Sequence, residues 1–157
     1  TRKDLQKWIE GATSSWVAEF AVPWVASASP HGREMALKWI ESKDEAIASA
    51  GWQTYSSMVA IKEDADLDLA EIKSLLERVA KSIHQQPNRV KYVMNSFVIA
   101  VACHVKPIHK LAVDTADGIG KIAVDLVGAC KIPFAPDHIK KFETRSAIGK
   151  KRKSPKC

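Results

Sequence analysis

Apolar positions recur at spacings of three and four along most of the chain and almost never alternate strictly, so the pattern predicts helices and almost no strands. Leu5, Trp8 and Ile9 form a short amphipathic stretch ending at Gly11. Ser14 or Ser15 can cap the next one, which runs through Trp16, Phe20, Trp24 and Val25 and which Pro23 should break or kink. Pro30 opens "PHGREMALKWIES", with Met35, Leu37, Trp39 and Ile40 apolar, and Asp44 begins "DEAIASAGWQTYSSMVAI". The clearest helix is "DLAEIKSLLERVAKSIHQ", led by Asp66 or Asp68: Leu69, Ile72, Leu75, Leu76, Val79 and Ile83 share one face, and charge covers the other. Pro87 and Asn88 make a break, Pro107 can start a helix closed by Gly118 and Gly120, "CKIPFAPD" reads as a loop, and "PDHIKKFETR" as a last short helix.

The stretch "YVMNSFVIAVACHVKP", Tyr92 to Pro107, is the least polar of all. Its apolar residues outnumber what a one-sided helix needs, which predicts a central helix packed on both sides. Asn95 and Ser96 must then find hydrogen-bond partners, and Cys103 behaves as a small hydrophobe.

"KWIE" occurs at Lys7–Glu10 and again at Lys38–Glu41, each time ending one helix before another begins. That spacing fits a helix-pair repeat, in which neighbouring pairs bury what one pair cannot. The expected architecture is all-α, a curved superhelix whose concave side suits a macromolecule better than a small substrate. With 157 residues, 46% of them hydrophobic, the chain has enough material for one or at most two domains with a continuous core. It opens at Thr1 without a Met and already in helix-forming sequence, consistent with residues 1–149 being the later part of a longer helical domain, followed by a basic tail at 150–157.

Charge changes the picture only at that tail. The formal net charge is +6, but "KKRKSPKC" holds five of the 24 Lys and Arg and no acid, leaving the body nearly neutral. Lys150, Lys151, Arg152, Lys153 and Lys156 suit phosphate binding through counterion release, a targeting tag, or a solvated end. No stretch reaches the length of a membrane span and no signal-peptide pattern opens the chain, so the expectation is a soluble, cytoplasmic protein without membrane contact, nucleoid-associated if it binds DNA.

Other chemistry finds little support. Cys103, Cys130 and Cys157 are far apart, odd in number and without C-x-x-C spacing, so reduced thiols are expected, and neither a disulfide framework nor a zinc site. His104 and His109 are off the register of joint ligands. "DGIGKI" lacks the length and the hydroxyl residue of a phosphate loop, Asp114 and Asp117 read as a solvated pair, and no nucleophile elbow is present. No metal or cofactor is expected.

The run "KWIES" followed by "IASAGW", the segment "NRVKYVMNSFVIAV" and the ending "GACKIPFAPDHIKKFETRSAIGKKRK" resemble a branch of the DNA alkylation repair proteins, the HEAT-like-repeat alkylpurine DNA glycosylases. The resemblance covers essentially the whole chain and is most distinctive over its last 70 residues. It implies HEAT-like helical repeats with DNA along the concave face and hydrolysis of the N-glycosidic bond of an alkylated purine without a cofactor. Such chemistry needs an anion near an oxocarbenium-like sugar, aromatic faces, and cations on phosphate.

In active members a Trp is followed four residues later by an Asp. Here "SSWVAEF" offers Trp16 as the aromatic contact, but Phe20 at the Asp position. Glu19, one residue earlier, is rotated by about 100° on a regular helix and could replace that anion only if the helix bends. The family's phosphate-gripping Arg matches Ala48 or Ser49, and its second aromatic matches Ser96 or Phe97 with no Arg following. Arg89 and Lys91, at the start of the central helix, are further candidates for phosphate contact, with a solvent-facing role as the alternative. Three functions thus compete: alkylation repair with Trp16 and Glu19, nucleic-acid binding without base excision, and a protein-binding scaffold.

Overall fold

The computed structural model describes residues 1–125 and 131–156. Cys130 and Cys157 lie outside the described residues, so the expectations for those two thiols have no structural counterpart here. Eight α-helices and no strand occur among the described residues, as the spacing of apolar positions predicts.

Local chemistry sets most helix starts. Thr1 and Asp4 form a capping box for α1 (Arg2–Glu10), which ends at Gly11. Asp44 Oδ1 accepts from the Ala46 and Ile47 amides at 2.9 and 3.0 Å to start α4 (Glu45–Ile61), and Asp68 accepts from the Glu71 amide to start α5 (Leu69–Ser82). Ser14 Oγ accepts from the Val17 amide. There the chain enters a π-helical turn, Val17–Ala21, that runs into α2 (Val22–Ala28). Pro23 explains the widened turn: it has no N–H to offer Glu19, and its ring would clash with that carbonyl in a regular α-helix. The Val22 amide reaches back five residues to Val17 instead, so the helix bulges without breaking.

The remaining helices are α3 (Gly32–Ile40), α6 (Asn88–His104), α7 (His109–Ile119) and α8 (Ala135–Thr144). They form successive pairs. α2, α4, α6 and α8 lie side by side as an inner layer, and α1, α3, α5 and α7 back them. The two "KWIE" copies fall at the ends of α1 and α3, the backing helices of consecutive pairs, with Ile9 and Ile40 both buried. α4 and α3 pack so closely that a Cβ on Gly51 would stand 2.5 Å from the Ile40 amide nitrogen. On the outside, Arg33 on α3 ties to Asp68 and Glu71 of α5, and Glu71 also accepts from the Tyr55 hydroxyl.

α6 is the central helix, packed against α4, α7 and α8, with Val93, Met94, Phe97, Val98, Val101 and Ala102 essentially inaccessible. Its polar groups are structural. Asn95 Nδ2 donates to Pro133 O at 3.0 Å, Ser96 Oγ to Tyr92 O at 3.1 Å, and the Cys103 thiol is buried. Burial pushes that thiol up to about 12. His109 bonds Ala102 O and Glu143 and so joins α6 to α8.

The tryptophans depart from expectation. Aromatic side chains bury large areas, which favours the core for most of the five, yet only Trp39 and Trp52 are fully buried. Trp8 and Trp16 are about half exposed, at 51% and 57%, and Trp24 is partly covered. Apolar helical spacing marks a face and cannot tell a core-facing stripe from one that lines a surface.

Candidate nucleic-acid interface

A groove runs along the inner layer. Phe20 stands at one end; Gln53, Ser56 and Ser57 of α4 and Tyr92, Ser96 and Ala100 of α6 form its floor; His138 and Phe142 of α8 and the C-terminal Arg152 close the other end. Ser56 and Ser96 return their hydroxyls to carbonyls one turn back, Trp52 O and Tyr92 O, so the floor is nearly uncharged.

Aromatic rings border the Phe20 end. Trp16, Phe20 and Trp24 follow one another at i, i+4 and i+8, and their centroids lie 5.7 to 6.4 Å apart, with Trp16 and Trp24 edge to face. Trp16, the aromatic contact implied by the resemblance, is the most exposed of the three.

Glu19 sits on the same π-helical turn but is 93% buried, and its carboxylate is ion-paired with Arg89 Nη1. Arg89 therefore reaches from α6 across the first turns of α4 to the π-turn, and its own amide donates to Glu45 Oε1 at 2.8 Å. Ala48 and Ser49, the residues standing where the family's gripping Arg is expected, are small and lie on the helix this bridge crosses. Trp16, Glu19 and Arg89 are thus brought to one end of the inner layer, as an aromatic surface beside a mutually neutralised pair. Lys91 is half-buried and forms no ion pair among the described residues.

At the far end the basic tail is packed down. Lys151 Nζ lies 2.8 Å from Asp64 Oδ1 and 3.1 Å from Val59 O, the Arg152 amide donates to Ala60 O at 2.7 Å, and His104 Nδ1 meets Lys150 O at 2.7 Å. A carbonyl only accepts, so His104 carries its proton on Nδ1. Burial, together with Arg152 and Lys151 nearby, holds its pKa below the usual imidazole range. Lys150, Arg152 and Lys153 keep exposed side chains. Sequence reasoning missed this docking, because a run of lysines without apolar residues carries no sign of packing.

No helix among the described residues is long and apolar enough by itself to cross a membrane. No protein-family model matches the chain. Two Listeria proteins are similar over most of its length. Uncharacterized protein Lin0241 of Listeria innocua serovar 6a is 30% identical over 147 residues, covering 92% of this chain and 62% of that protein. Uncharacterized protein Lmo0209 of Listeria monocytogenes serovar 1/2a is 30% identical over 148 residues, covering 93% and 63%. The chain therefore spans slightly less than two thirds of these relatives. A solved structure described as "A new family of proteins related to the HEAT-like repeat DNA glycosylases with affinity for branched DNA structures" superposes on the whole chain with a TM-score of 0.92 and 32% identity, over 67% of its own length. The stacked helix pairs are thus HEAT-like repeats, and the chain belongs to this family of proteins related to the HEAT-like repeat DNA glycosylases.

Proposed function

We propose that the protein binds DNA in the inner-layer groove and prefers branched DNA to linear duplex. The observation that carries this reading is the groove itself. It has a nearly uncharged floor, exposed aromatic rings beside one end and the Arg152 guanidinium, without an ion pair among the described residues, at the other. Cations at the rim hold phosphates, while exposed rings offer a stacking face to bases that a branch point leaves unstacked. The affinity for branched DNA described for the family member of known structure supports the same choice.

The Glu19–Arg89 pair favours binding over glycosidic hydrolysis. A carboxylate that stabilises an oxocarbenium-like sugar must present uncompensated negative charge to it, and here Arg89 compensates that charge. In this reading Glu19 holds the π-turn to α6, and Trp16 supplies the aromatic contact.

The test is a fluorescence-polarisation titration of a four-way junction and of a linear duplex with the same arm sequences, at two ionic strengths. Tighter junction binding that weakens with salt is expected. Equal, salt-insensitive or undetectable binding would overturn the proposal and favour a protein-binding scaffold.

A further inference from the structure

We propose that the basic C-terminal segment is a fixed strap, in which Lys151 and Asp64 are positioning residues and Arg152 is the phosphate-binding residue they hold in the groove. The proposal rests on the DNA-binding reading above and goes further by dividing the work among the lysines and the arginine of the tail.

Four consecutive residues, Gly149 to Arg152, are each fastened to the helical body. The Gly149 amide donates to Cys103 O at 2.9 Å, Lys150 O accepts from His104, Lys151 Nζ takes Asp64 and Val59 O, and the Arg152 amide takes Ala60 O. The bonds to Val59 O, Ala60 O and Cys103 O satisfy carbonyls that α4 and α6 leave open at their C-termini, where the helix dipole also favours cations. Gly149 has a φ of 81°, and a Cβ there would stand 3.1 Å from Lys106 Cβ, so the turn into the strap requires glycine.

The consequence is a difference between neighbours. The Lys151 side chain is only 10% exposed and already paired, so it is closed to a phosphate. The Arg152 guanidinium lines the groove beside His138 and Phe142 and makes no hydrogen bond or ion pair among the described residues. A planar fork of donors on an anchored backbone suits a phosphodiester, and the anchoring lowers the ordering cost of the contact.

The experiment is junction binding by wild type, Asp64→Asn, Asp64→Glu and Arg152→Gln, with thermal midpoints measured alongside. Asp64→Asn raises the net charge by one, so a loose polycation would bind as tightly or more tightly. The strap instead gives binding about three- to tenfold weaker in Asp64→Asn, while Asp64→Glu, which keeps a carboxylate for Lys151, stays near wild type. Arg152→Gln, which removes no hydrogen bond or ion pair among the described residues, should lose a similar factor and about one unit of salt slope. Undiminished binding by Asp64→Asn, or an unchanged slope in Arg152→Gln, overturns the strap while DNA binding stands. Absence of junction binding by wild type overturns the DNA-binding reading and the strap together.

Discussion

Arg89, at the start of α6, ion-pairs with Glu19 on the π-helical turn that precedes Pro23, joining two inner-layer helices across a third. The pair fixes the aromatic end of the groove. It also sets Glu19's role, because a carboxylate this buried and this closely matched by a guanidinium acts first as a tether.

Removing one partner should therefore loosen the fold before it changes any chemistry. Loss of a partner from a fully buried pair costs several kcal/mol, but the Arg89 side chain is 35% exposed and solvent moderates the loss. Glu19→Gln and Arg89→Met are each expected to lower stability by about 1–2 kcal/mol in urea denaturation. Their combined effect should be smaller than the sum of the two, since either alone removes the shared interaction.

Gly51→Ala tests the α3–α4 contact. The added methyl would meet the Ile40 amide nitrogen at 2.5 Å and Ala36 O at 2.8 Å, both backbone atoms that cannot rotate away. The helices must separate, and a loss of about 2–3 kcal/mol is expected from the denaturation midpoint.

Acid should loosen the strap. His104 is held neutral in the folded protein, with its pKa below the ordinary imidazole value because of burial and the adjacent cations, and His138 is shifted the same way. Between the folded and unfolded values the unfolded chain binds more protons, so stability rises with pH there. The contribution is complete above about pH 6.5 and is lost as pH falls toward the folded value. Thermal midpoints should drop from about pH 7.5 to about pH 5.5. His104→Asn, whose amide nitrogen stands where Nδ1 does and keeps an N–H for Lys150 O, should flatten that slope.

The Cys103 thiol should resist alkylation in the native protein. Buried, and with a pKa pushed up to about 12, it offers almost no accessible thiolate near neutral pH. Peptide mapping after mild iodoacetamide treatment should find Cys103 unmodified until denaturant is added.

Much of the fold is readable from residues close together in sequence. Asp44 and Asp68 announce their helices because a cap bonds amides two or three residues ahead, and the apolar face of α5, from Ile72 to Val79, is written within one element. The resemblance to HEAT-like-repeat proteins is likewise carried by contiguous runs. The site is harder to read. Pro23 signals a break, yet the outcome is a π-turn, and the partner that holds Glu19 lies 70 positions away. The anchor of Lys151 is 92 positions away at Val59 O, so no local window could distinguish a docked strap from a solvated end. Trp16, which the resemblance implies as an aromatic contact, is exposed.

A carboxylate placed in the groove separates groove binding from every alternative. Ser96→Glu puts negative charge on the floor contributed by α6, and Ser74→Glu puts the same charge on exposed α5 in the outer layer. Binding in the groove requires that Ser96→Glu weaken junction binding by at least about tenfold while Ser74→Glu stays near wild type, both remaining folded by circular dichroism. Equal losses in the two variants, or full binding by folded Ser96→Glu, would show that DNA does not occupy the groove.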